Sequence, residues 1–254
     1  IIKRALEEPV RQIVNNAGCI RYMSGGQIHL PLVIRGPANG GTNVGATHSH
    51  TPESILANNP GVKVVCPATA YDAKGLMKTA IRDNDPVFVM ENTLLYGETW
   101  EVPEEEYLIP LGVADVKREG ADLSLVSYSR TLLWALEAAE QLAAEGVSVE
   151  VIDLLSLSPI DYSPIAESVR RTGRLVVAHE AALTGGVGAE VCASITERCF
   201  EYLEAAPVRV TGHDIPYPPA KAEGHHIPDL DRLLDGIDCA MGRPNSRSGM
   251  GAGS

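Results

Sequence analysis

Apolar and polar positions divide the chain into short buried runs and amphipathic stretches. Over residues 9–22, Val10, Ile13, Val14, Ala17 and Ile20 recur at helical spacing, and Gly25-Gly26 supplies the stop. The run HLPLVIRGP predicts a buried strand over 29–35, followed by a glycine-rich loop over 36–50. TPES opens a short helix, with Thr51 as N-cap, Pro52 at the first position and Glu53 near the positive end of the dipole. VKVVCP reads as a strand, YDAKGLMKTAIRDN as an amphipathic helix and PVFVMEN as a third strand. Apolar strands alternating with helices predict an α/β fold with a parallel sheet covered on both faces.

Residues 92–112 break this rhythm. GETWEVPEEEYLIPLG has no clean period and carries prolines and an acidic run, so it reads as an interdomain linker. DLSLVSYS, VSVEVIDL, RLVVAHE and PVRVTG then read as strands. They alternate with helices at TLLWALEAAEQLAAEG, from Ser163-Pro164, at GGVGAEVCASITERCFEYL and at PDLDRLLDGIDCAM. This makes a second α/β unit of about 130 residues, a usual domain size. The ending GRPNSRSGMGAGS is low in complexity and reads as a disordered tail.

Composition narrows the function. The formal charge of −12 over 254 residues argues against a nucleic-acid surface, which needs a basic footprint. No apolar run reaches the ~20 residues that span a bilayer, so no membrane role is expected. Five scattered cysteines without a CxxC pair read as reduced core thiols of a cytoplasmic protein.

TGGVGAE lacks full dinucleotide-binding spacing and reads as glycine for close helix–sheet packing; no P-loop is present. No GxSxG or SxxK nucleophile motif occurs, and PEEEY reads as solvated linker surface. In GATHSH, His48 and His50 stand two apart in a glycine-rich loop. They read as one acid/base histidine with a bystander, as two solvated loop histidines, or as half of a zinc site that still needs further ligands.

Several segments then match one family in order. RYMSGGQ, PLVIRGP, GATHS, PGVKVVCPATAYDAKGLMKTAIRDNDPV and ENTLLYG are joined by PEEEYLIPLGVADVKREG, VEVIDLLSLSPID, TGRLVVAHEAALTGGVGAEV and APVRVTGHDIPYP. From about residue 10 to 240 the chain resembles the beta subunit of the thiamine-diphosphate-dependent 2-oxo-acid dehydrogenase component, of the pyruvate type, with a transketolase-like fold. The resemblance implies a partial pyrimidine-binding domain over 1–97, a linker over 98–112, a transketolase C-terminal domain over 113–241 and the tail over 242–254. It implies an oxidoreductase that decarboxylates a 2-oxo acid and passes the acyl group to lipoyl groups of a dihydrolipoyl acyltransferase core. The partner would be an alpha subunit in an α2β2 heterotetramer, supplying the diphosphate- and Mg2+-binding GDG motif that this chain lacks.

On that resemblance His48 falls on the active-site histidine, a proton-transfer role that suits imidazole. His50 falls on a variable polar position. A structural potassium ion is implied at Leu32, Ala80, Ile81, Asp83 and Asp85, where the family has asparagine at Asp85. Helix-end carbonyls lack intrahelical partners and suit a cation. Members carry a further upstream segment with the glutamate that activates thiamine; Glu7 and Glu8 do not match it, and the first sheet is expected to keep an exposed edge. HEAALTGG is closer to the branched-chain or acetoin-cleaving relatives. Two other readings stand beside the enzyme: a non-catalytic assembly module that dimerises and docks the acyltransferase, and a zinc hydrolase built on His48 and His50.

Overall fold

The computed structural model describes residues 11–243, so the tail from residue 244 and the start of the first helical stretch lie outside the described residues. The expected 9–22 helix is two pieces. α1 (Gln12–Ala17) is widened, with Gly18 N–H donating to Ile13 O at 2.9 Å, and α2 (Ile20–Met23) follows. β1 (Val33–Ala38) begins later than 29. Pro31 has no N–H to offer a ladder, and Leu30 donates instead to Asn84 O. α3 (Glu53–Ala57), β2 (Lys63–Val65), α4 (Ala70–Arg82) and β3 (Val87–Asn92) complete the first half.

α4 starts on a capping box. Thr69 Oγ1 accepts the Asp72 N–H at 3.1 Å and Asp72 Oδ2 accepts the Thr69 N–H at 3.1 Å, which satisfies two helix-end donors.

The second half contains β4 (Asp115–Arg118), β5 (Leu123–Ser127), α5 (Thr131–Ala144), β6 (Val149–Asp153) and β7 (Ser156–Ser158). It continues with α6 (Ser163–Thr172), β8 (Leu175–Ala182), α7 (Val187–Cys199), β9 (Val208–Gly212), α8 (Ala220–His226) and α9 (Leu230–Ala240). Its sheet runs β4-β6-β5-β8-β9, parallel except where β4 meets β6. Along β8, Leu175 and Val177 face one helix layer (α6, α7), whereas Val176 and Ala178 face the other (α5, α9). Both faces of this central strand are therefore buried, as its apolar run Leu175–Ala178 requires.

Three elements escaped the hydrophobic pattern. β4 is a charged edge strand, β7 has three residues, and α8 has seven. β7 matters most. The first sheet runs β1-β3-β2-β7, and β7, from the second half of the chain, pairs antiparallel with β2. Neither sheet is wholly parallel, because an antiparallel strand closes one edge of each. The opposite edge of the first sheet is the half-exposed β1.

One apolar cluster crosses between the sheets, joining Val64, Cys66 and Met90 to Val126, Ile152 and Val177. The linker is also attached. Tyr107 stacks on Tyr71 of α4 with ring centroids 4.3 Å apart and donates its hydroxyl to Tyr71 O at 2.9 Å, while Glu104, Glu105 and Glu106 stay exposed. Cys66 and Cys199 are buried and Cys19 and Cys192 half-buried, but Cys239 is an exposed free thiol rather than a core residue.

A charged seam joins the halves. Lys117 Nζ on β4 lies 3.2 Å from Asp72, 2.8 Å from Asp115 and 3.9 Å from Asp153. Asp153 is fully buried, and burial, reinforced by Asp72, pushes its carboxyl up to about 8 against the pull of Lys117. In the unfolded chain the same group ionises near pH ~4. The stability that the neutral native carboxyl contributes is therefore complete below about pH 4 and is lost as pH rises through about 8. Asp153→Asn, which keeps an acceptor for the Leu155 N–H, is expected to flatten that decline; urea unfolding from pH 4 to 9 would show parallel curves if the expectation is wrong.

A second expectation concerns Gly61. Its φ is +96°, and a Cβ there would lie 1.9 Å from Gly18 O. Gly61→Ala should cost about 1–3 kcal/mol in denaturant unfolding, because neither backbone can yield cheaply.

Candidate functional site

The loop between β1 and α3 leaves the C-terminal end of a sheet strand, the usual place for chemistry in open α/β sheets. Its residue types follow from its backbone. Asn39, Gly41, Asn43 and Gly45 have φ of 74°, 96°, 62° and 72°, values that suit glycine and asparagine. The loop is closed at its ends by Asn39 N–H donating to His50 O at 2.7 Å. His48 and Ser49 N–H both donate to Gly45 O, at 3.2 and 3.0 Å. His48 is exposed at the rim. His50 is exposed too, with Nε2 3.2 Å from Thr47 O. Among the described residues no group of three or more His, Cys, Asp or Glu side chains is placed to hold a metal, so the two histidines have no third zinc ligand there.

Under the loop lie carboxylates that the sequence reading did not nominate. Glu180, on β8, accepts Gly40 N–H at 2.6 Å, the Tyr217 hydroxyl at 2.7 Å and Asn92 Nδ2 at 3.2 Å. Glu223, on α8, accepts Gly41 N–H and Asn43 N–H, both at 2.8 Å, and the Ser49 hydroxyl at 3.3 Å. Glu53 is not a solvated helix-end charge. α3 starts after Pro52 with no side-chain cap from Thr51, and Glu53 is fully buried, accepting the Tyr128 hydroxyl at 3.0 Å.

Burial pushes the Glu53 carboxyl up to about 7 and raises Glu180 despite its three donors. The buried His179 ring, stacked on Tyr128 at 5.7 Å, is pulled down to about 4 by burial and is neutral at pH 7. Its Nε2 accepts Gly188 N–H at 3.1 Å, and a Cβ on Gly188 would come within 2.6 Å of that nitrogen. Gly186 and Gly188 of TGGVGAE therefore serve close packing, whereas Gly185 faces open space and is required by its φ of +69°. The signal for Glu180 was available: His-Glu interrupts an otherwise apolar strand, and a buried charge needs a reason.

The residues matched to potassium gather at the C-terminal end of α4. Ala80 O accepts Asp83 N–H at 3.2 Å and Leu32 O accepts Val87 N–H at 2.9 Å. Asp83 Oδ1 accepts Asp85 N–H at 2.9 Å, and its carboxylate takes Lys63 Nζ at 2.7 Å. Asp85 pairs with Arg21 at 2.6 Å, and that hydrogen bond holds its carboxyl below the ordinary range. The Ile81 side chain is exposed. Both carboxylates already face cations, so what this helix end offers a monovalent ion is chiefly carbonyl oxygen. The donor set is hard and fits an alkali cation better than a transition metal.

Comparison with known proteins adds the following. The transketolase pyrimidine-binding domain model matches residues 11–99 and the transketolase C-terminal domain model matches 112–233. The chain is 44% identical over 232 residues to the mitochondrial pyruvate dehydrogenase E1 component subunit beta-1 of Arabidopsis thaliana, covering 89% of this chain and 64% of that protein. It is 48% identical over 207 residues to the corresponding subunit beta of Porphyra purpurea, covering 82% and 62%. To that of Bacillus subtilis it is 45% identical over 217 residues, covering 85% and 67%. The chain thus spans roughly two thirds of the length of the curated relatives it matches. Among solved structures, a chain described as "split gene transketolase, inactive beta4 tetramer" superposes with a TM-score of 0.71 at 26% identity, covering 92% of this chain and 74% of that one. Both domain models in order, and identity at this level along most of the chain, make it a member of the transketolase-type family of pyruvate dehydrogenase E1 beta subunits.

Proposed function

We propose that this chain is part of the beta subunit of a thiamine-diphosphate-dependent 2-oxo-acid dehydrogenase component, acting on pyruvate together with an alpha subunit. The observation that carries the reading is the 44–48% identity to pyruvate dehydrogenase E1 beta subunits along 82–89% of the chain. When bound, thiamine diphosphate would supply the electron sink for loss of carbon dioxide, shared between this chain and the alpha subunit, which brings Mg2+, in an α2β2 heterotetramer. His48, exposed at the loop rim, is the residue of this chain that faces outward to hold and move a proton as the acyl group passes to a lipoyl arm of the acyltransferase core. A cytoplasmic location accords with five free cysteines. The branched-chain and acetoin-cleaving relatives remain the alternative substrate classes, on the strength of HEAALTGG.

Co-expression of the full-length protein with its alpha partner provides the test. The assembled enzyme should release CO2 from pyruvate faster than from branched-chain 2-oxo acids. His48→Ala should lower lipoyl acylation by about 10²–10⁴-fold with unchanged unfolding temperature. Absence of turnover with every 2-oxo acid tried would end this reading.

Potassium at Leu32, Ala80, Ile81, Asp83 and Asp85 belongs to the same proposal, supported by the place of Ala80, Ile81 and Asp83 at the C-terminal end of α4, where helix carbonyls carry negative partial charge. Replacing Na+ by K+ at constant ionic strength should raise the melting temperature, since an ion bound only by the native state stabilises it. Equal melting temperatures in the two salts would remove the ion.

A second reading has its own support. The solved relative at TM-score 0.71 is described as an inactive beta4 tetramer, and a net charge of −12 suits a basic docking partner. Under it the chain self-associates and docks an acyltransferase without catalysis.

A further inference from the structure

We infer that Glu223 is the positioning residue for His48: a carboxylate in the second half of the chain sets the shape of the loop that carries the imidazole. The inference rests on the reading of His48 as the proton-handling residue.

The geometry is convergent. Gly41 and Asn43, both with positive φ, aim their N–H groups at the two oxygens of one carboxylate, each at 2.8 Å. Such turns of backbone N–H groups make concave anion seats. Here the anion is a side chain of the same protein. With its amide turned as its surroundings require, Asn43 also donates from its side chain to Glu223 at 3.1 Å and to Ala220 O at 3.2 Å. The Ser49 hydroxyl donates to the same carboxylate at 3.3 Å, one residue from His48. Glu223 thus grips the loop before and after the bend that presents the imidazole.

The grip is close. A Cβ on Gly40 would stand 2.9 Å from Glu223 Oε1 and 2.3 Å from the Tyr217 ring. Glu223 is only 2% exposed, so little water is available to replace a lost partner. Apart from its own closing bonds at Asn39–His50 and Gly45, the loop is held largely from below, by Glu180 and Glu223. The imidazole of His48 has no hydrogen-bond partner among the described residues, so its placement is that of its backbone.

The test uses the full-length chain assembled with its alpha partner and the variant Glu223→Gln, which keeps the shape but turns one acceptor into a donor facing an N–H. Amide hydrogen exchange is followed in the peptide covering 39–50 and in those covering β5 and β8. Exchange over 39–50 should rise about tenfold or more, with the two strands unchanged. The kcat for 2-oxo-acid turnover should fall by about tenfold or more, while KM stays within about twofold of wild type. In a His48→Ala background, Glu223→Gln should produce no further fall in kcat, because the two residues act in one unit.

Unchanged exchange over 39–50 would overturn the inference, and so would an undiminished effect on kcat without His48. Should Glu223→Gln exchange throughout the molecule, Ser49→Ala takes its place. It removes one bond and leaves the charge, and it must loosen 45–50 for the inference to survive. If the wild-type assembly turns over no 2-oxo acid, the functional reading fails separately, and the exchange measurement still decides whether Glu223 holds the loop.

Discussion

A carboxylate removed from water must be given hydrogen-bond donors or a proton, and much of this structure is arranged around that requirement. Glu180 and Glu223 leave the second half of the chain and meet the backbone of a loop in the first. The donors at Gly41 and Asn43 converge on one side chain where the backbone turns left-handed, a conformation that suits the asparagine and glycine of this loop. Glu53 meets the same requirement differently. With the Tyr128 hydroxyl on one oxygen and no hydrogen-bond partner for the other among the described residues, it is pushed towards the protonated form by burial.

These polar contacts sit on an apolar base that the two sheets share. Val64, Cys66 and Met90 pack in one cluster with Val126, Ile152 and Val177, so the halves are not independent bodies joined by a tether. The linker reinforces this, since Tyr107 stacks on α4 and Ile109 and Leu111 join the apolar layer around Leu76 and Ala80. The loop bearing His48 therefore has a fixed reference on both sides.

What was legible in the sequence follows from how local each signal is. α4, α5, α7 and α9 announced themselves as helical stretches alternating with apolar-rich strands, among them β5, β6 and β8. β4, β7 and α8 gave no such signal. An edge strand alternates charge with partial burial, three residues carry no period, and a seven-residue helix starting after Pro219 has little amphipathic length. His48 could be singled out because chemistry-bearing loops are rich in glycine, and a family resemblance gave it a role. Glu223 could not, because its partners stand some 180 residues away in sequence, at Gly41 and Asn43, and nothing near Ala222 or Gly224 betrays them. Glu53 was misread for the opposite reason. Its place at a helix start offered a sufficient local explanation, while Tyr128 and the second sheet supplied the real one.

The antiparallel pairing of β7 with β2 has a consequence for synthesis. β2 leaves the ribosome well before Ser156–Ser158, and at ~5–20 residues per second that interval lasts several seconds. Throughout it, Val64 and Val65 present an apolar strand edge with no neighbour from their own chain. That edge of the nascent first half stays unpaired until the second half has begun to emerge. Its sheet is finished by the domain that follows it.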